Sequence, residues 1–190
     1  WDSTRTKNLI ADAKGEHGLS PLGRSYLGGL LEGMAELTAL VAPTVNSYKR
    51  YVPGVWAPLS ASWGSENRTT AIRLIRGDGP SSTRFEYRQT AADMNPYIAI
   101  ATSVGSGLLG IERAIEPLAE SRGDASDSAG RAPLPTSLKS ATALLKESQL
   151  ARTILGAPFV DHYVRTREWE VRQYEKAVTD WELRRYFESI

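Results

Sequence analysis

Apolar positions recur at helical spacing soon after residue 20. Leu27, Leu30, Leu31, Met34 and Leu37 fall on one face behind Ser20-Pro21, an N-cap followed by proline at the first helical position. A core helix is predicted there, ended by Pro43. Residues 1–19 are polar, carry Gly15 and Gly18, and read as a loop. Between 45 and 88 the period shortens. Ala57, Leu59, Ala61 and Trp63 alternate with Pro58, Ser60 and Ser62, and residues 71–75 and 84–88 form two further extended candidates. The three are expected to share a sheet. The last two should be antiparallel, since Gly77-Asp78-Gly79-Pro80 makes a hairpin-type link too short for a helical crossover.

The helical period then returns. Asn95-Pro96 repeats the cap-plus-proline signal, and Tyr97, Ile100, Ala101, Val104, Leu108, Ile111 and Ile115 form an apolar stripe expected to cover the sheet. Gly105, Ser106, Gly107 and Gly110 keep part of this helix thin, which points to close packing rather than to a ligand. Residues 121–133, rich in Ser, Gly, Asp and Ala, are expected to be a mobile loop. Helices follow from about residue 136. Val160, Tyr163, Val164, Val171, Tyr174 and Val178 are the expected buried face of a long one, and Thr179-x-x-Glu182 is a capping box opening a short helix with Trp181, Tyr186 and Phe187. The pattern is that of an α+β fold, with an antiparallel sheet packed by helices and a helical C-terminal portion.

Composition narrows the functions. In 190 residues, 23 Lys and Arg face 22 Asp and Glu, a net charge of +1, so no overall field recruits nucleic acid or an anionic membrane. The chain has no cysteine, which removes disulfide and thiolate chemistry and fits a reducing compartment, with cytoplasm as the default expectation. No apolar run is long enough for a membrane span, and His17 and His162 have no partner at metal-ligand or triad spacing. Neither a Walker-type phosphate loop nor a Gly-x-Gly-x-x-Gly fingerprint is present. Lacking an initiating Met and opening on Trp1-Asp2, the chain reads as a fragment whose beginning lies elsewhere.

The informative chemistry is arginine. If 84–88 is a strand, Arg84, Glu86 and Arg88 share one face, with Phe85 and Tyr87 on the other. A row of plus, minus, plus fits either a solvated, self-neutralising face or a metal carboxylate flanked by anion-holding guanidinium groups. Arg50, Arg68, Arg73, Arg84 and Arg88 all fall within fewer than forty residues, which suggests a site for a polyanion such as a nucleotide phosphate.

These residues also carry a resemblance. Pro43-Thr44-Val45-Asn46-Ser47-Tyr48-Lys49-Arg50-Tyr51-Val52-Pro53-Gly54, then Trp63-Gly64 with Asn67-Arg68, Ile72-Arg73, Arg84-x-Glu86-x-Arg88 and Asn95-Pro96-Tyr97, resemble the C-terminal half of the glutamine synthetase catalytic domain. Leu134-Pro135-Thr136-Ser137-Leu138 and Val178-Thr179-Asp180-Trp181-Glu182 extend the match over nearly the whole chain, so residues 1–190 are expected to be the C-terminal part of such a domain, whose sheet belongs to a β-barrel. The resemblance implies an ATP-dependent ligase that joins glutamate to ammonia through a γ-glutamyl phosphate, with Mg²⁺ or Mn²⁺, in a ring-shaped homo-oligomer. By match Glu86 ligates metal, Arg50 and Arg88 hold glutamate, and Arg68, Arg73 and Arg84 neutralise the nucleotide and the transferring phosphoryl group, Arg68 being the catalytic candidate.

Two departures qualify it. Glutamine-forming members carry a Glu just after Pro-Gly-aromatic that helps deprotonate ammonium, whereas this chain reads Gly54-Val55-Trp56-Ala57-Pro58. An indole accepts no proton at neutral pH, so Trp56 is expected to line a pocket for an organic amine instead. The family's other metal ligands and its small N-terminal domain have no counterpart in these residues, so the 190-residue piece alone is expected to be inactive and prone to association. The alternative is a non-enzymatic structural or regulatory relative.

Overall fold

The computed structural model describes residues 1–55, 57–125 and 130–188. Ser20 caps the first helix, α1 (Pro21–Glu32), its hydroxyl accepting the Gly23 N–H at 3.0 Å. The expected single helix to Pro43 is broken. Gly33 caps α1, the Met34 N–H then bonding Leu31 O in 3₁₀ fashion at 3.3 Å, residues 33–37 turn, and a short α2 (Thr38–Val41) follows, with Met34, Leu37 and Leu40 still fully buried. A 3₁₀ turn, Asn46–Arg50, then leads to the sheet.

The sheet has three strands in the order β1 (Trp63–Ser65), β2 (Ile72–Ile75) and β3 (Arg84–Tyr87). As expected, β2 and β3 are antiparallel, with Arg73 opposite Glu86 and Ile75 opposite Arg84. The expected all-antiparallel sheet is corrected at β1, which runs parallel to β2. The cause is the link 66–71. Glu66 adopts a left-handed conformation (φ 52°), and Asn67 Oδ1 accepts the Thr69 N–H (3.0 Å) and hydroxyl (2.7 Å) in an Asx-type turn that carries the chain back beside β1. Of the expected strand over 57–63 only Trp63 enters the sheet. Residues 59–61 pair instead with 132–134, through Ala61 N–H to Ala132 O (3.0 Å) and Leu134 N–H to Leu59 O (2.9 Å). The described parts of 121–133 are also tied down, Ser121 N–H to Trp63 O at 2.8 Å and Ala125 N–H to the Thr69 hydroxyl at 2.9 Å.

Helix α3 (Pro96–Glu112) starts where Asn95 predicts, Oδ1 accepting the Tyr97 N–H at 2.9 Å, but it faces the other way. Its small residues Ala99, Thr102, Ser106, Gly107 and Gly110 are buried, while Tyr97, Ile100, Val104 and Leu108 are exposed. The expectation that the apolar stripe covers the sheet is therefore overturned. Helices α1 and α3 cross so closely that a Cβ on Gly29 would lie 2.2 Å from Ser106 O and 2.7 Å from Gly110 Cα. Only a glycine-on-glycine crossing allows that approach, which turns the bulky stripe outward.

Helices α4 (Leu138–Glu147), α5 (Gln149–Leu155), α6 (Ala157–Lys176) and α7 (Asp180–Tyr186) complete the fold. Ser137 and Thr179 cap α4 and α7 in capping boxes. One core joins Leu37, Leu40, Leu138, Leu145, Val160 and Val164 to Tyr48 and Tyr51, and a second joins α1 to Trp63, Ile72, Leu74 and Leu134. On α6 Val160, Val164 and Val171 are buried as expected, but Tyr174 near its end and Val178 beyond it are exposed.

Candidate functional site

Strand β3 alternates as its sequence dictates. Phe85 and Tyr87 pack on the α1 core, Phe85 stacked on Tyr26 with ring centroids 6.1 Å apart, so Arg84 and Glu86 face the other side. Glu86 is held between two arginines, but the register substitutes one of them. Its Oε2 lies 3.6 Å from Nη1 of Arg73, directly across on β2, and its Oε1 3.4 Å from Nη1 of Arg88. Arg84 turns its guanidinium toward Ser82 O (2.9 Å) and is exposed. The row read along one strand is thus a cluster built across two.

Arg50 reaches the cluster from the 3₁₀ turn. Its Nη2 donates to Arg88 O (2.9 Å), and its Nη1 to Thr90 O (2.6 Å) and Gln89 O (3.3 Å). The turn is itself anchored by Asp93, which accepts the hydroxyls of Thr44 (2.5 Å) and Ser47 (3.0 Å). Arg50 therefore fixes the backbone that carries Arg88. Tyr51 adds a 2.5 Å bond to Gln89 O, and burial pushes its hydroxyl up to about 12, so it remains a donor.

Arg68 sits on the 66–71 link, exposed, with no hydrogen bond or ion pair among the described residues. Arg73, Glu86, Arg88 and Arg50 come together; Arg68 and Arg84 flank them as exposed cations. Trp56, the predicted amine-pocket residue, lies outside the described residues.

Three contributors carried no signal in the sequence reading. Glu66 Oε2 lies 2.5 Å from Arg73 Nη2, and the Arg73 hydrogen bond holds the Glu66 carboxyl below the usual range. Gln89, fully buried, donates to Met34 O (3.0 Å) and to the Thr38 hydroxyl (2.7 Å) and accepts the Tyr87 hydroxyl (2.7 Å), tying the end of β3 to the break between α1 and α2. Asp93 is the third. Asn67-Arg68 marked the loop in which Glu66 sits, but Gln89 and Asp93 find their partners about fifty residues away, where no local pattern reaches.

Whether a divalent cation fits can be judged from the donors. Glu86 Oε2 is buried without a hydrogen bond, as a carboxylate oxygen reserved for a cation would be. Among the described residues no group of three or more His, Asp or Glu side chains could complete a metal site. The residues fit one ligand, not a whole site. Beside the Phe85 and Tyr87 rings a cavity of about 350 Å³ is lined by Trp1, Tyr26, Arg84, Phe85 and Tyr87, aromatic walls beside a cation.

An α+β domain whose mixed sheet presents a carboxylate between guanidinium groups, with further arginines at its rim, groups with folds whose charge pattern can hold an anion. The model of the family described as glutamine synthetase, catalytic domain, matches residues 1–186, and the chain belongs to that family. Among similar proteins, type-1 glutamine synthetase 2 of Dictyostelium discoideum is 43% identical over 188 residues, covering 97% of this chain and 36% of its own length. Gamma-glutamylethanolamide synthetase GlnA4 of Streptomyces coelicolor is 42% identical over 187 residues, covering 95% and 40% respectively. The solved structure of a GmaS/ADP complex superposes with a TM-score of 0.82 at 32% identity, covering 94% of this chain and 42% of that one. The chain spans about two fifths of the length of these relatives.

Proposed function

We propose that the protein carrying this chain is an ATP-dependent ligase that joins the side-chain carboxyl of glutamate to an amine. The observation that carries the reading is Glu86 seated between Arg73 and Arg88, in a chain that matches the glutamine synthetase catalytic domain over residues 1–186. In this reading ATP transfers its γ-phosphoryl group to the acid, and the amine displaces phosphate from the γ-glutamyl phosphate. Such a transfer needs little covalent help and depends on charge placed around the phosphoryl oxygens. Arg73, Arg84 and Arg68 supply that charge, Arg68 being exposed and able to swing onto the transferring group. Arg88 takes the substrate carboxylate, with Arg50 acting through its three bonds to the backbone of 88–90. Glu86 would hold Mg²⁺ or Mn²⁺ through Oε2; a bound cation neutralises nucleotide charge. The remaining ligands and a ring-shaped homo-oligomer belong to the same proposal.

The amine is proposed to be organic rather than ammonia. Gly54-Val55-Trp56-Ala57-Pro58 offers an indole, which can pack on an alkyl amine or face its charge but cannot accept its proton. A relative named for γ-glutamylethanolamide synthesis, 42% identical, supports that choice. The test is amine-dependent ADP release by the full-length protein. Turnover of glutamate with ethanolamine or a polyamine, abolished by Glu86→Gln, is expected. Efficient turnover with ammonia alone, undiminished by Trp56→Ala, would sink the organic-amine reading, and no Mg²⁺-dependent ATP binding at all would sink the ligase.

A further inference from the structure

Glu66 stands on the turn that returns the chain beside β1, and its carboxylate is aimed at Arg73. It is one of the few non-glycine residues with positive φ (52°), a conformation L side chains disfavour. Both of its carboxylate oxygens are engaged. Oε2 lies 2.5 Å from Arg73 Nη2, and Oε1 accepts the Arg76 backbone N–H at 3.1 Å, although half of the side chain is open to solvent. Arg73 is mostly buried, and its fork is divided, Nη2 on Glu66 and Nη1 3.6 Å from Glu86. Arg84 adds its attraction to the same carboxylate. Glu66 thus occupies, in the field of Arg73 and Arg84, the place an anionic ligand of those arginines would take.

We infer that Glu66 is an internal counter-anion that occupies Arg73 until an incoming phosphate-bearing ligand displaces it, and so sets the affinity of the site for that ligand. The inference rests on the assignment of Arg73 and Arg84 to nucleotide phosphates proposed above. An ordinary exposed ion pair accounts for less of this geometry. Such pairs add little to stability, whereas here the guanidinium is mostly buried and divided between two carboxylates. A carboxylate held in place has two consequences instead. It keeps the Arg73 guanidinium oriented and partly neutralised while the site is empty, and it makes every phosphate ligand compete for Arg73, lowering apparent affinity by the fraction of time the pair is closed. Glu66 is on this account a positioning residue, in contact with Arg73 rather than with reacting atoms.

The test measures binding of two probes, tripolyphosphate and Mg²⁺-ATP, to the full-length protein by calorimetry, for the natural sequence, Glu66→Gln, Glu66→Gly and each combined with Arg73→Ala. Glycine is at home at φ 52°, so Glu66→Gly removes the carboxylate without straining the backbone at 66, while Glu66→Gln keeps an oxygen for the Arg76 N–H. Both single variants should bind tripolyphosphate roughly fivefold to tenfold more tightly, about 1–1.4 kcal/mol, and the gain should vanish when Arg73 is Ala. In steady state the KM for ATP should fall by a similar factor, with kcat little changed. Unchanged or weaker tripolyphosphate binding by both variants, with melting curves as cooperative as the natural protein's, overturns the inference. Tighter tripolyphosphate binding with no ATP binding upholds the counter-anion and refutes the nucleotide assignment. ATP binding that is identical in all Glu66 variants upholds the nucleotide assignment and refutes the counter-anion.

Discussion

Gln89→Leu is the sharpest test of how the fold holds its site. The side chain is fully buried and makes three hydrogen bonds, two donated to the Met34 carbonyl and the Thr38 hydroxyl and one accepted from the Tyr87 hydroxyl. Leucine fills a similar volume, so cavity formation is minor and the lost polar contacts dominate. They are unequal. Met34 O keeps the Thr38 hydroxyl at 3.0 Å, so those two groups lose only part of their bonding. The Tyr87 hydroxyl loses the acceptor it has in the natural chain. A buried orphaned hydroxyl costs about 1–3 kcal/mol and the two partial losses about 0.5 kcal/mol each, or roughly 2–4 kcal/mol in all. For a domain of this size that lowers the melting temperature by roughly 5–15 °C. The assay is thermal unfolding followed by circular dichroism on the protein carrying this chain, run as a cycle with Tyr87→Phe. Tyr87→Phe should be destabilising in the natural background and near neutral when residue 89 is leucine. Additive losses, or a Gln89→Leu change under about 1 kcal/mol, would refute the network.

Three further outcomes follow from the same geometry. Gly29→Ala should destabilise by about 1–3 kcal/mol although alanine is the better helix former, because its Cβ would meet backbone atoms of Ser106 and Gly110 that cannot step aside; unchanged thermal melting would mean that α1 and α3 can separate. Arg50→Lys cannot span the three carbonyls of 88–90, so the KM for the acid substrate should rise by roughly tenfold or more while ATP affinity holds, and an equal loss in both would remove Arg50 from the acid side. The Tyr51 hydroxyl is raised by burial to about 12, so its stabilising contribution is complete below about pH 10 and declines as the unfolded chain ionises between pH 10 and 12. Tyr51→Phe should flatten that alkaline decline in urea midpoints, and an unaltered profile would place the hydroxyl in solvent.

Helix starts were the most legible feature, since each is written locally: Ser20-Pro21, Asn95-Pro96 and Thr179-x-x-Glu182 all cap where their spacing predicts. The face of α3 was not. Its apolar stripe is longer and cleaner than its small-residue face, and by burial alone it should turn inward; what decides is the fit of Gly29 against Gly110, a property of two helices some eighty residues apart. The parallel pairing of β1 escaped for a related reason. A six-residue link ordinarily implies a reversal, but the left-handed Glu66 and the Asn67 turn bring the strand back in the same direction. The charged site was legible as to residue types and only half legible as to partners. Alternation placed Arg84, Glu86 and Arg88 on one face, while the across-strand register, invisible along the chain, gave Arg73 rather than Arg84 to Glu86.

That exchange of partners changes what the cluster can do. A row on one strand would be self-neutralising and need nothing further. The observed arrangement commits Arg73 and Arg88 to Glu86 and leaves Arg84 and Arg68 at the rim, so among the described residues the ion pairs made by the set Arg50, Arg68, Arg73, Arg84 and Arg88 reach two carboxylates, Glu66 and Glu86. Arg50 is satisfied by backbone oxygens, which carry no charge. The surplus of positive charge stands in an otherwise nearly neutral chain, and like charges held this close repel unless an anion joins them. Surface scatter would relieve that repulsion by letting long side chains drift apart. Here Arg73 and Arg88 are mostly buried and fixed by the register of β2 and β3, so the fold keeps both guanidinium groups beside Glu86, as the proposed polyanion site requires.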